Sequence, residues 1–181
     1  MSILKEGFPF IIPSFLAGLA LLLVSKFLQM PPAAFIACIA LGAVLVIFAL
    51  FCMFFFRDPR IKITQGEGQI LSPCNGTVME LDETENEKII RVFLSIFSVH
   101  LQRSPVGGTV VDVTHKDGKF FAAWNPRAQI ENEQNIITIK ADGADGTYVV
   151  RQIAGFLARR CVSWVKSGDI LKAGDKIGMI K

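Results

Sequence analysis

The stretch Ala33 to Lys62, "AAFIACIALGAVLVIFALFCMFFFRDPRIK", divides the chain into two unlike parts. Up to Phe56 it holds no charged residue, and it exceeds the ~20 apolar residues that a bilayer-crossing helix needs. Arg57, Asp58, Arg60 and Lys62 then arrive together, and the composition turns mixed from there to Lys181. Upstream lies a second apolar run, Phe8 to Val24, "FPFIIPSFLAGLALLLV", with Lys26 the one charge between Phe8 and Phe56. Pro31-Pro32 between the runs cannot continue a helix and marks a short turn.

These features predict a transmembrane helical hairpin over residues 1–56, with both ends on one side of the membrane, followed by a separate domain over residues 57–181. An uncleaved hairpin is favoured over a signal peptide, because no small-residue cleavage pattern follows the first run and a second run comes at once. Arg57, Arg60 and Lys62 outweigh Lys26, so the positive-inside rule puts the domain on the cytoplasmic face of the cell's inner membrane. The 51% hydrophobic content reflects the hairpin, and no nucleic-acid partner is expected of a chain whose formal charge is +3. Cys38 and Cys52 fall in the second run, while Cys74 and Cys161 stand alone without Cys-x-x-Cys spacing. They read as small buried hydrophobes in a reducing compartment, not as zinc ligands or a disulfide framework.

Beyond Arg57 glycines recur at short intervals, from Gly66 to Gly178, and between them lie β-type runs such as "RVFLSIFSV", "GTVVDV", "NIITIKA", "TYVVRQIAG" and "CVSWVKSG". None keeps a helical period, so the expected fold is membrane-anchored and mainly β, an all-β sandwich or barrel-like domain behind the hairpin. The final stretch, "SGDILKAGDKIGMIK" (Ser167 to Lys181), reads as short strands joined by the Gly168-Asp169 and Gly174-Asp175 turns. "FLARR", Phe156 to Arg160, is the one place where a single helical turn is expected.

Candidates for chemistry are few. The two histidines are His100 and His115. His115, in "DVTHKDGKFF", reads as a solvated loop residue, whereas His100 ends the apolar run "VFLSIFSVH" and is delivered to a loop with Arg103 three residues on. The guanidinium of Arg103 suits a phosphate or carboxylate. Arg159-Arg160 lies within reach of anionic head groups if the domain is tethered to a membrane. The polar string "NPRAQIENEQN", Asn125 to Asn135, reads as a solvated loop, and the acidic turn "LDETENEKI" has no histidine beside it to support a metal site.

Six blocks follow one another: "FFFRDPR", "LSPCNGTV", "VFLSIFSVHLQRSPVGGTV", "GKFFAAWNPRAQIENEQN", "RQIAGFLARRCVSWVKSGD" and "AGDKIGMIK". Their order over Phe54 to Lys181 resembles the short, membrane-anchored (archaeal-type) branch of the phosphatidylserine decarboxylases. That resemblance implies a pyruvoyl-dependent carboxy-lyase that turns the serine head group of a phospholipid into ethanolamine. It further implies a precursor that cuts itself at a Gly-Ser bond following an "IGMIK"-like run. The pyruvoyl group would then form from a serine beyond Lys181 on a separate α chain, the present residues being the β portion of the heterodimer. A pyruvoyl carbonyl serves as the electron sink that decarboxylation of an amino acid requires. By the same resemblance His100 is the expected proton donor or base, and Arg103 the expected clamp on the lipid phosphate. Asn75 stands in "CNG" where the family usually has Ala-Asp-Gly, an aspartate that orients the processing histidine. An amide there carries no charge to stabilise an imidazolium.

Two other readings are open on sequence. One is a non-catalytic lipid-binding scaffold of the same fold, favoured by Asn75. The other is a lipoyl- or biotinyl-type carrier, favoured by the Gly-Asp rhythm near Lys181 but lacking a lysine in the required setting.

Overall fold

A computed structural model of the chain describes residues 2–64, 66, 68–85, 87–143 and 146–181. Asn86, inside the acidic turn, lies outside the described residues. The chain forms two compact units, residues 1–60 and 61–181.

The first unit opens with β1 (Ser2–Ile3) and a 3-10 turn at Lys5–Gly7, then α1 (Phe8–Phe27), α2 (Pro32–Phe55) and β2 (Arg57–Asp58). Both helices are long and apolar enough to cross a membrane. Pro9 sits in the first turn of α1, where a missing N–H costs nothing, and Pro32 starts α2. Small residues set the packing between the helices. A Cβ on Gly18 would lie 2.9 Å from the Gly42 carbonyl, and one on Gly42 would lie 3.0 Å from the Gly18 carbonyl, so the two backbones touch where neither has a side chain. The buried residues of α1 are Ile11, Ser14, Gly18 and Ser25, which share one helical face. Ser25 satisfies its hydroxyl by donating to the Leu22 carbonyl at 2.8 Å, and Ser14 donates likewise to Phe10. β1 and β2 pair antiparallel, Ser2 opposite Asp58, so the start of the unit and the end of α2 meet, as a hairpin requires.

The second unit is built of strands: β3 (Thr77–Glu83), β4 (Lys88–Phe93), β5 (Leu101–Arg103), β6 (Gly108–Lys116), β7 (Gln134–Ala141), β8 (Thr147–Ile153), β9 (Cys161–Ser163), β10 (Ile170–Leu171) and β11 (Lys176–Ile180). A four-stranded sheet runs β10-β6-β7-β8, a three-stranded sheet runs β5-β11-β9, and β3-β4 forms a separate hairpin. Alternation along β7 sends Ile137 and Ile139 inward, where they meet Val110, Val150, Leu171 and, from the three-stranded sheet, Ile177. The two sheets thus share one apolar core.

The Gly-Asp turns form as the sequence indicates. Asp169 accepts the Lys166 N–H at 2.9 Å and Asp175 accepts the Lys172 N–H at 2.7 Å, with Gly168 and Gly174 at φ +90° and +85°. The expected helical turn, however, is displaced. Phe156 to Arg160 is a loop closed by Gly155 N–H donating to Ala158 O at 2.7 Å, because Arg160 is held in a ladder with Lys181 and cannot join a helix. Among the described residues of the unit the one helix is instead α3 (Ala128–Glu131), preceded by a turn in which Asn125 Oδ1 accepts the Arg127 N–H at 2.9 Å.

β11 is paired on both edges, to β5 on one side and β9 on the other, and all of it but Lys176 is buried. At Gly178 a Cβ would lie 2.2 Å from the Val162 carbonyl and 2.7 Å from Gln152 Nε2. Gly178→Ala is therefore expected to lower stability by about 1–3 kcal/mol through overpacking. Gly155→Ala, where a Cβ meets nothing within 4 Å, is expected to change it little. Denaturant unfolding of the detergent-solubilised chain, followed by tryptophan emission, compares the two.

Candidate functional site

His100 immediately precedes β5 and is buried, 4% exposed. The turn before it explains its setting. Ser98 N–H donates to Ser95 O at 2.9 Å, the Ser95 N–H donates to Ser98 Oγ at 3.1 Å, and the Ser98 carbonyl then faces His100 Nδ1 at 3.1 Å. A carbonyl only accepts, so Nδ1 carries the proton in the neutral ring and Nε2 is the basic nitrogen. The His100 carbonyl accepts the Ile180 N–H at 3.2 Å, which places this histidine beside the last residues of β11.

Strand alternation turns His100 and Arg103 to different faces. His100 and Gln102 lie toward one face of β5, Leu101 and Arg103 toward the other. Arg103 lines a cleft of about 170 Å³ with Lys62, Thr64, Ser72 and Gly174, and its Nη1 donates to the Gly174 carbonyl at 3.0 Å. Gly174, at φ +85°, holds a backbone conformation that side chains rarely adopt, and a Cβ there would also displace the tip of Ile63. Asn75 is exposed in the bend that follows Pro73, whose carbonyl accepts the Arg103 N–H at 2.8 Å. That bond sets the Asn75 turn beside β5.

Residues 132–135, which sequence reasoning reads as solvated, are buried: Asn132, Glu133, Gln134 and Asn135. A polar string looks exposed when its partners lie far away in sequence, and here they do. Asn132 donates to Phe121 O at 2.8 Å and Ala154 O at 2.7 Å and accepts the Phe121 N–H at 2.8 Å. Glu133 accepts from Arg160 Nη1 at 3.0 Å and from the Cys161 N–H at 2.9 Å, next to the mutual backbone bonds of Arg160 and Lys181 at 2.7 Å. A buried carboxylate thus fastens the start of β9 to the segment that leads into β7, while β9 is joined to β11 by the backbone ladder. Burial, and Glu133 beside it, push the Cys161 thiol up to about 12, so it is inert at neutral pH.

His115 is likewise not in a loop. It lies on β6 opposite Asn135, and its Nδ1 meets Asn135 Oδ1 at 2.7 Å while Nε2 meets Asp117 Oδ1 at 3.3 Å. Asn135 Nδ2 donates onward to Gln152 Oε1 at 3.0 Å. Gln152 is fully buried, and its Nε2, against Gly178, has no hydrogen-bond partner among the described residues. Gln102, opposite Gly178 in the β5–β11 register and so on the same face, has a buried Oε1 that is also unpartnered. A donor and an acceptor, both desolvated and both unused, flank β11 just below His100, a costly arrangement unless another group completes it.

The hydrogen bond to Asn135 raises the His115 pKa, with smaller support from Asp117 and Glu133. Because the folded value is raised, this contribution to stability is complete below the ordinary histidine value of ~6.5 and fades as pH rises through the folded value. An NMR titration is expected to place the His115 midpoint above ~6.5. Asn135→Ala should return it toward the ordinary value; a midpoint unmoved by that substitution contradicts the assignment.

Residues 48–181 match the family model described as phosphatidylserine decarboxylase. A phosphatidylserine decarboxylase proenzyme of Symbiobacterium thermophilum is 39% identical over 186 residues, covering 99% of this chain and 80% of the relative. Proenzymes of the same name from Carboxydothermus hydrogenoformans and Syntrophus aciditrophicus are 43% and 35% identical, covering 78% and 99% of this chain and 68% and 82% of their own lengths.

Proposed function

The chain belongs to the phosphatidylserine decarboxylase family, and on that premise we propose how its own residues serve the decarboxylation of phosphatidylserine to phosphatidylethanolamine. The observation that carries the reading is His100, buried with a fixed tautomer and hydrogen-bonded through its carbonyl to Ile180 at the end of β11.

Loss of carbon dioxide from an amino acid leaves an electron pair on the α-carbon, and a pyruvoyl group supplies the electron sink for it when present. The residues flanking β11 suit such a group. Gln152 Nε2 is a buried donor in need of a carbonyl or carboxylate oxygen, and Gln102 Oε1 a buried acceptor in need of a donor. In our reading the group derives from a serine following Lys181 and is carried by an α chain in the processed heterodimer, in keeping with relatives named proenzymes.

His100, protonated, delivers the Nε2 proton to the α-carbon as carbon dioxide departs and is reprotonated from water. The balance is one proton consumed and one carbon dioxide released per head group. Holding Nδ1 on the Ser98 carbonyl keeps Nε2 as the working nitrogen through each cycle. Arg103 and Lys62 give the cleft two cations suited to the lipid phosphate, and we assign the anchoring role to Arg103. Asn75 is assigned to the self-processing step, where its amide orients a neighbour without adding charge. The two apolar helices are read as the membrane anchor, and the basic flank after α2 supports, by the positive-inside rule, our reading of the catalytic unit as cytoplasmic.

In the full-length proenzyme, His100→Ala is expected to lower decarboxylation by about 10²–10⁴-fold, the usual worth of a positioned acid. Ethanolamine lipid is measured by mass spectrometry and chain cleavage separately by gel. Unchanged turnover in cleaved enzyme would remove His100 from the mechanism. Arg103→Lys is expected to raise KM for phosphatidylserine more than it lowers kcat. Asn75→Asp, which restores a charge to the turn, is expected to speed cleavage of the precursor; equal or slower cleavage argues against a processing role.

A further inference from the structure

Two loops of the second unit expose a combination of side chains that neither the core nor the His100 site uses. In the first, residues 119–127, Trp124 is 76% exposed, and in the second, residues 155–160, Phe156 and Leu157 are 59% and 70% exposed. Basic groups lie among them. Arg159 sits 5.6 Å from the Phe120 ring and 5.4 Å from the Phe156 ring, and Arg127 sits 4.7 Å from the Phe121 ring. Arg159 therefore ties one loop to the other. Buried Asn132 ties their roots, bonding the Phe121 backbone in the first loop and the Ala154 carbonyl at the start of the second. The rim is held in place, not merely left exposed.

Its chemistry selects among possible occupants. Tryptophan, phenylalanine and leucine beside arginine, with guanidinium groups laid over aromatic rings, are the residues that settle at the boundary between head groups and acyl chains. Lys119, Arg127, Arg159 and Arg160 outnumber the acids that pair with them, Glu131 and Glu133. The β3–β4 hairpin also exposes apolar side chains, Val78, Leu81 and Ile90, but it carries Glu80, Asp82, Glu83 and Glu85, which an anionic surface repels.

We propose that the aromatic–arginine rim of loops 119–127 and 155–160 seats on an anionic lipid bilayer, so that the second unit holds the membrane surface by its own contacts. This rests on the reading above only in that the substrate is a membrane lipid. The position of the rim gives it a purpose. Arg160 exchanges two backbone bonds with Lys181, and Ile180 bonds His100, so the rim borders the end of β11 on the β9 side as His100 borders it on the β5 side. A head group drawn from lipid beneath the rim would have the end of β11 within reach without leaving the bilayer.

The test uses the full chain in nanodiscs of phosphatidylcholine, with and without phosphatidylglycerol, with lipid acyl chains either ordinary or brominated. Subtracting the emission of Trp124→Phe isolates Trp124 from Trp164. Seating predicts a blue-shifted Trp124 signal that brominated lipid quenches, more strongly with phosphatidylglycerol present, and that reverts to a water-exposed emission in the Phe156→Asp/Leu157→Asp variant. Arg159→Glu, a milder surface change, should remove the dependence on phosphatidylglycerol. A Trp124 signal that stays red-shifted and unquenched overturns the proposal. So does one that is blue-shifted but unquenched, which would mean protein covers the rim. Quenching is read without turnover, so a chain with no decarboxylase activity still tests the surface.

Discussion

Strand β11, enclosed on both edges, joins the shared core to the segments that carry His100 and Arg160. β5 and β9 pair with it, Ile177 enters the shared core, and Gly178 lets the Val162 backbone and the Gln152 amide approach closer than any side chain would permit. A strand held this way has one register, since a one-residue slip would replace the glycine with a residue that cannot fit. The position of Ile180 against His100, and of Lys181 against Arg160, follows from that register and not from the loops.

The two apolar helices are legible in the sequence. The charge-free runs, the Pro31-Pro32 turn and the abrupt basic flank after Phe56 mark two apolar helices, because hydrophobic length is a local property. The Gly-Asp turns of the last stretch are equally local, each closed by its own aspartate. What escapes sequence reasoning depends on partners far along the chain. Asn132 to Asn135 look like a loop because amides and a carboxylate are usually solvated, yet Phe121, Gln152, Ala154, Arg160 and Cys161 satisfy them in the interior. His115 reads as a loop residue for want of any local sign that β6 continues through it. The displaced helical turn has the same origin, since the backbone of Arg160 is taken by Lys181.

The candidate site was legible in part. His100 stands out as a histidine delivered by an apolar run, and Arg103 as a cation near a turn. They stand three residues apart, and the extended backbone through β5 turns them to opposite faces. Gln102 and Gln152 gave no signal at all in sequence, because an amide becomes conspicuous only when burial strips it of water. Their buried atoms without partners stand out only once the fold brings both beside Gly178.

The amide chain from His115 through Asn135 to Gln152 has a sense of direction. With hydrogen on Nδ1 the imidazole donates to Asn135 Oδ1, Asn135 donates to Gln152 Oε1, and Gln152 is obliged to turn its N–H toward β11. Were that hydrogen to sit on Nε2 instead, each amide would have to rotate by half a turn, and the buried end would offer an oxygen. One proton on a surface ring thus decides whether the interior of this domain presents a donor or an acceptor, two amides away.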